Sequence, residues 1–152
     1  MKYYSLNNKE YHSNFENAVV RGLAPDKGLY FPERIPQLSS EFISNLKSLN
    51  STEIGMHVIS PFVSNEIPET ELQKILEETL SFDFPVKAIE PDVSVLELFH
   101  GPTLAFKDVG ARFMAGSLGY FIQKGNLGKV TVLVATSGDT GGAVANGFLG
   151  VD

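Results

Sequence analysis

The sequence has no cysteine among its 152 residues, which excludes a disulfide framework and any thiolate metal site. A reducing compartment such as the cytoplasm is the matching expectation. The polar opening stretch, Met1-Lys2-Tyr3-Tyr4-Ser5-Leu6-Asn7-Asn8, does not read as a secretory leader because it has no apolar core run. No segment approaches the ~20 consecutive apolar residues that span a bilayer. Basic charge is also short: 12 Lys and Arg face 18 Asp and Glu, for a net charge of −6. A polyanion is repelled by that balance, so nucleic-acid binding is disfavoured. There is no internal repeat and no low-complexity tract.

Glycine is scarce at first and then abundant. Residues 1–100 hold 3 of the 14 glycines and residues 101–152 hold 11. Charge shifts with it, from 8 basic and 15 acidic residues in the first part to 4 and 3 in the second. Dense glycine lets backbone approach a ligand closely, so small-molecule chemistry is expected after residue 100.

The apolar pattern predicts a mainly helical region over residues 1–92, followed by the start of an α/β region over 93–152. A short strand is expected at residues 2–6 and another at 29–31, within a Gly- and Pro-rich loop over 24–36. Ser13, with Glu16 three residues on, predicts a capping box for a helix over 15–22 that Gly22 stops. Helices are expected over 40–49, 52–63 and 68–80, the second with a possible kink at Pro61 and the third opening near Pro68. A strand over 92–99, a helix over 109–123, a buried strand over 129–136 and a helix over 141–149 complete the reading. The run Val130-Thr131-Val132-Leu133-Val134 suits the middle of a parallel sheet covered on both faces. Few other strands could flank it, and the next is due where the sequence stops. The expected fold is therefore α/β, a partial parallel sheet with flanking helices, cut from a larger two-domain enzyme.

Two segments carry chemistry. The first is Phe99-His100-Gly101-Pro102-Thr103-Leu104-Ala105-Phe106-Lys107-Asp108, a turn leading into a helix that is apolar or small almost all round. Such a helix is buried, and a lysine at its start is poorly solvated. Burial and the positive end of the helix dipole both favour the neutral amine, the form that attacks a carbonyl. The placement suits a Schiff-base or proton-shuttling lysine, although a lysine reaching from a helix end to the surface would look the same. Asp108 and Arg112, four apart, are expected to pair. Arg112 and Lys124 are also candidates for a substrate anion on charge alone. His100 reads equally well as a turn residue or a catalytic one.

The second segment, Thr136-Ser137-Gly138-Asp139-Thr140-Gly141-Gly142, joins the buried strand to its helix. Backbone amides at a helix start accept an anion, and glycine lets it come close. No Lys-Ser/Thr follows the glycines, so this is not a Walker loop, and it is not the dinucleotide fingerprint either. A carboxylate or phosphate is the expected guest.

Together these segments resemble the threonine synthase family, of the tryptophan-synthase-β-like class of pyridoxal-phosphate enzymes. The resemblance runs the length of the chain. It includes Gly22-Leu23, Gly28-Leu29-Tyr30-Phe31-Pro32, Ile35-Pro36 and Glu66-Ile67-Pro68. Its most specific parts are the run from Leu96 to Asp108 and that from Ala135 to Gly141. The resemblance implies that Lys107 is catalytic and carries pyridoxal phosphate, with Phe106 beside it. It implies that Thr136, Ser137, Gly138, Asp139 and Thr140 cradle a substrate carboxylate, and that Asp139 meets the cofactor's ring hydroxyl. It implies conversion of O-phosphohomoserine and water to threonine and phosphate. Family members are more than twice this length, so the chain alone is expected to turn nothing over. Another pyridoxal-phosphate replacement enzyme, such as a dehydratase relative, and a non-catalytic binder of a phosphorylated small molecule are the competing expectations. The Gly22 to Pro36 segment weighs against the first and the intact Phe106-Lys107-Asp108 against the second.

Overall fold

The alternating residues near the N-terminus form strand β1 (Tyr3–Ser5) in a computed structural model that describes residues 1–151. It is the centre of a three-stranded antiparallel sheet, flanked by β2 (His12–Ser13) and β3 (Tyr30–Pro32), with Tyr3 opposite both Ser13 and Pro32. Tyr3 and Ser5 point into the core, as the period of two requires. The two strands expected in this region are present, each shifted or trimmed by a residue. Ser5 is fully buried and gives its hydroxyl to Asp26 Oδ1 at 2.7 Å. Asp26 Oδ1 also accepts from the Gly28 amide at 3.0 Å. These bonds hold the Asp26 carboxyl below its ordinary range, the Ser5 bond most. A Cβ on Gly28 would sit 2.0 Å from Ser5 Oγ, so the turn closes only around glycine.

Helix α1 (Phe15–Arg21) starts at the expected residue, with its cap one position later than predicted. Asn14, not Ser13, is the cap, its side chain accepting from Asn17 N, because Ser13 is committed to β2. The first two amides of the helix find an acceptor from far along the chain. Glu66 accepts from the amides of Phe15 and Glu16 at 3.0 and 2.9 Å. A carboxylate there satisfies two orphan donors and complements the helix dipole.

The next two helices obey their caps closely. Ser39 caps α2 (Ser40–Asn45), which tightens into a 3-10 turn over Leu46–Ser48. Asn50 and Glu53 form a reciprocal capping box at the start of α3 (Ser51–Val63), with Pro61 accommodated in its last turn. Together with β1 to β3 these helices lie in the first of two compact units, Met1–Lys74; the second is Ile75–Asp152. The division falls inside α4 (Glu69–Thr79), where Pro68 precedes the first turn as expected. Leu72, Ile75, Leu76 and Thr79 are its buried stripe at helical spacing.

In the second unit, β4 (Val86–Glu90) and β5 (Val93–Leu96) form an antiparallel hairpin, exposed along both strands. Helix α5 (Asp108–Gly125) buries Asp108, Ala111, Ala115, Ser117, Leu118, Gly119 and Phe121. Helix α6 (Asp139–Gly147) follows, two residues earlier at each end than the pattern suggested. The two helices pack closely: a Cβ on Gly147 would lie 3.0 Å from the Ala111 carbonyl oxygen. The expected parallel sheet is not formed among the described residues, whose strand pairings are all antiparallel. Residues 129–136 are not in a strand, and Leu133 is 90% exposed. A central strand needs a neighbour on each edge to bond its amides and carbonyls, and no described strand pairs with this segment.

Candidate active site

Lys107 is the residue on which α5 begins. Its own backbone caps the helix, since no side chain does, and its carbonyl accepts the first helical bond from Ala111 N at 2.9 Å. The side chain is partly buried, and its amine lies 4.5 Å from the centre of the Phe106 ring. That distance is within the range of a cation–π contact.

The loop before α6 turns at Gly138, whose φ of +148° is open to glycine and strained for other residues. Thr136 Oγ1 accepts from the Gly138 amide at 3.2 Å. A Cβ on Gly141 would meet Thr136 Cγ2 at 2.5 Å, so the Thr136 side chain folds back over the start of α6. The first-turn amides of α6 have no partner within the helix. Thr136, Ser137, Gly138 and Asp139 are exposed, and Thr140 is partly buried.

A cavity of about 370 Å³ joins the two segments. One side is Phe106, Lys107, Gly110, Ala111 and Met114, at the spacing of one face of α5, and the other is Thr140, Ala143 and Val144 of α6. The N-terminal turns of both helices therefore contribute to one space. Their positive ends favour a negatively charged guest, and the remaining walls are apolar. The structure brings Lys107, Phe106 and Thr140 together, while Thr136, Ser137 and Gly138 stand in the loop before α6 and Asp139 is the first residue of that helix, none of these four lining the cavity. The wall residues Ala143 and Val144 were not singled out by the sequence. The signal available was small or apolar residues at helical spacing directly after each motif.

One expectation is corrected here. Asp108 and Arg112 do not pair. Asp108 is 1% exposed and accepts from the Thr103 amide at 2.9 Å and from the Thr103 hydroxyl. Arg112 instead sends Nε and Nη2 to the Glu78 carbonyl at 3.1 and 2.8 Å. The spacing of four describes side chains free on a helix surface, whereas a buried carboxylate takes the nearest donors. Arg112 thus satisfies the end of α4 rather than reaching the cavity. His100 bonds Glu97 at 2.7 Å and stacks on Phe99, the turn role.

The family described as "Threonine synthase N terminus" matches residues 2–80, just over half of the chain. The chain belongs to the threonine synthase family. It is 42% identical to threonine synthase of Haemophilus influenzae over 152 residues, covering 100% of this chain and 35% of that one. The crystal structure of threonine synthase from Escherichia coli superposes with a TM-score of 0.89 at 42% identity, over 99% of this chain and 35% of that one. A structure described as pyridoxal-phosphate-bound threonine synthase from Brucella melitensis gives 0.92 at 38% identity, over 100% and 34%. The chain thus spans about a third of the length of these threonine synthases.

Proposed function

We propose that this chain is the N-terminal part of a pyridoxal-phosphate-dependent lyase that converts O-phosphohomoserine and water to threonine and phosphate. The observation that carries the reading is the shared cavity, in which Lys107 and the first turn of α6 face one space. The residues present fit the cofactor. It needs one amine for its aldehyde, apolar surface for its ring and amide donors for an anionic group. Lys107 offers the first, Phe106, Ala111, Met114 and Val144 the second, and the start of α6 the third. When bound, pyridoxal phosphate supplies an electron sink for negative charge beside the amino-bearing carbon.

The chain's own residues then have separable tasks. Lys107 holds the cofactor and, once freed by substrate, moves the proton at Cα and then at Cβ. The backbone amides from Thr136 to Thr140 hold and orient the substrate carboxylate. Asp139 is the acceptor offered to the cofactor's ring hydroxyl. Arg112 is assigned no part in this chemistry. The same reading makes residues 129–136 a parallel strand of the full-length protein, supported by the near-continuous apolar run from Val130 to Val134.

Borohydride reduction of the full-length protein, followed by peptide mapping, tests the assignment. The pyridoxyl label is expected on Lys107. Lys107→Ala is expected to lose the label and to lower threonine formation by at least ~10²-fold, the low end of what one positioned acid–base group supplies. Residues 1–152 alone are expected to form no threonine. A full-length protein that makes threonine with Lys107 unlabelled would refute the reading.

A further inference from the structure

Asp108 sits in the first turn of an 18-residue helix and is 1% exposed. A carboxylate so placed must be hydrogen-bonded to be tolerated. Both its oxygens are engaged by one residue, Thr103: Oδ2 by the amide at 2.9 Å and Oδ1 by the hydroxyl. Between the partners runs a turn that is not relaxed. Leu104 is 76% exposed and has φ +59°, a left-handed conformation that a branched side chain adopts at a cost. Its amide bonds the Gly101 carbonyl at 3.1 Å, and the Asp108 amide bonds the Ala105 carbonyl at 3.0 Å.

Gly101 is part of the same arrangement. A Cβ there would lie 2.5 Å from Asp108 Oδ2, 2.9 Å from Asp108 Cβ and 2.9 Å from Phe82 Cζ. The carboxylate is therefore tucked under the turn against bare backbone. Lys107 is the residue caught between this closed turn and the first turn of α5. Its backbone direction, and with it the line along which its amine enters the cavity, is set by where the turn closes.

We propose that the Thr103–Asp108 contact is a clamp that positions Lys107, and that Thr103 and Asp108 are positioning residues for the reaction. Neither lines the cavity, so they act through the lysine. Without the clamp, Leu104 relaxes to an extended conformation and the segment from Ala105 to Lys107 shifts with it. A displacement of about 1 Å at a reacting group can cost ~10²-fold in rate. The proposal rests on Lys107 being the cofactor lysine.

The test uses the full-length protein and the single change Thr103→Val, which removes the hydroxyl bond and keeps the amide bond and the volume. Three quantities are read: the rate at which added pyridoxal phosphate becomes fixable to Lys107 by borohydride, the pH midpoint of the bound cofactor's visible absorption, and kcat against KM. The variant is expected to slow attachment and kcat by about 10-fold or more, to move the pH midpoint, and to leave KM within about twofold. Thr103→Ser, which keeps the hydroxyl, is expected to restore all three. Attachment, midpoint and kcat unchanged in Thr103→Val, with Lys107 labelled normally in the wild type, would overturn the clamp and leave the functional reading intact. A midpoint that stays fixed while kcat falls only in step with the folded fraction would also overturn it. A wild-type protein that never labels Lys107 would overturn both.

Discussion

Tyr3 shows how much one buried polar group can say. Its ring packs on Phe15 and its hydroxyl donates to the Phe62 carbonyl at 2.8 Å. Burial, and secondarily the Glu66 carboxylate, push the phenol from the ordinary 10.0 up to about 12. The folded state thus prefers the neutral form more strongly than the unfolded chain does. That preference is fully present below pH 10.0 and is lost as the pH rises through about 12. Wild-type stability is therefore expected to fall across this interval more steeply than that of Tyr3→Phe, which starts ~1 kcal/mol lower for want of the hydrogen bond. Urea midpoints of both proteins over the interval check it, and parallel curves would refute it. Residues of this kind were only partly legible in the sequence. Lys107 and Gly138 stood out because a charge at the head of an apolar helix and a glycine at a strand–helix turn each have few explanations. The roles of Glu66 and Asp108 did not, because the first acts on amides some fifty residues away in the chain and the second obeys burial rather than spacing.

Helices were the elements best read from the sequence, since each of α2 to α4 has an apolar stripe and a distinct opening residue. The hairpin was read only in its second strand, β5, which lies within the strand expected over 92–99. Strand β4 (Val86-Lys87-Ala88-Ile89-Glu90) is exposed along its length, and a strand without a buried face carries a weak period-two signal. Arg112 belongs at this scale because it serves an element. The last turn of a helix leaves carbonyls without partners and carries partial negative charge, both of which the Arg112 fork answers at Glu78. Arg112→Ala in the full-length protein is expected to lose ~1–3 kcal/mol, the usual worth of a hydrogen bond to a charged group. Arg112→Lys should lose less, keeping the charge without the fork. KM for substrate is expected to change little in either. A tenfold rise in KM with unchanged urea midpoints would instead return Arg112 to the substrate.

At the scale of the whole molecule, the distribution of glycine pointed to residues 101–152 as the part expected to carry chemistry, and the cavity lined by Lys107 and Thr140 lies there. The parallel sheet was suggested by pattern and is not formed among the described residues, because pairing needs partners that periodicity does not supply. Leu133 turns that into a measurement. At 90% exposure it should accept a charge in the 152-residue chain with little effect, since exposed substitutions typically stay within ~0.5 kcal/mol. In a sheet covered on both faces the same charge would be buried and unpaired, at a cost of roughly 3–5 kcal/mol. Leu133→Lys is accordingly expected to leave the urea midpoint of the 152-residue chain nearly unchanged and raise its solubility, yet to destabilise the full-length protein by that larger amount. Small, equal effects in both proteins would mean that residues 129–136 are a surface segment. The α6 start would then have no strand to hold it, and the amides assigned to the substrate carboxylate would need another support.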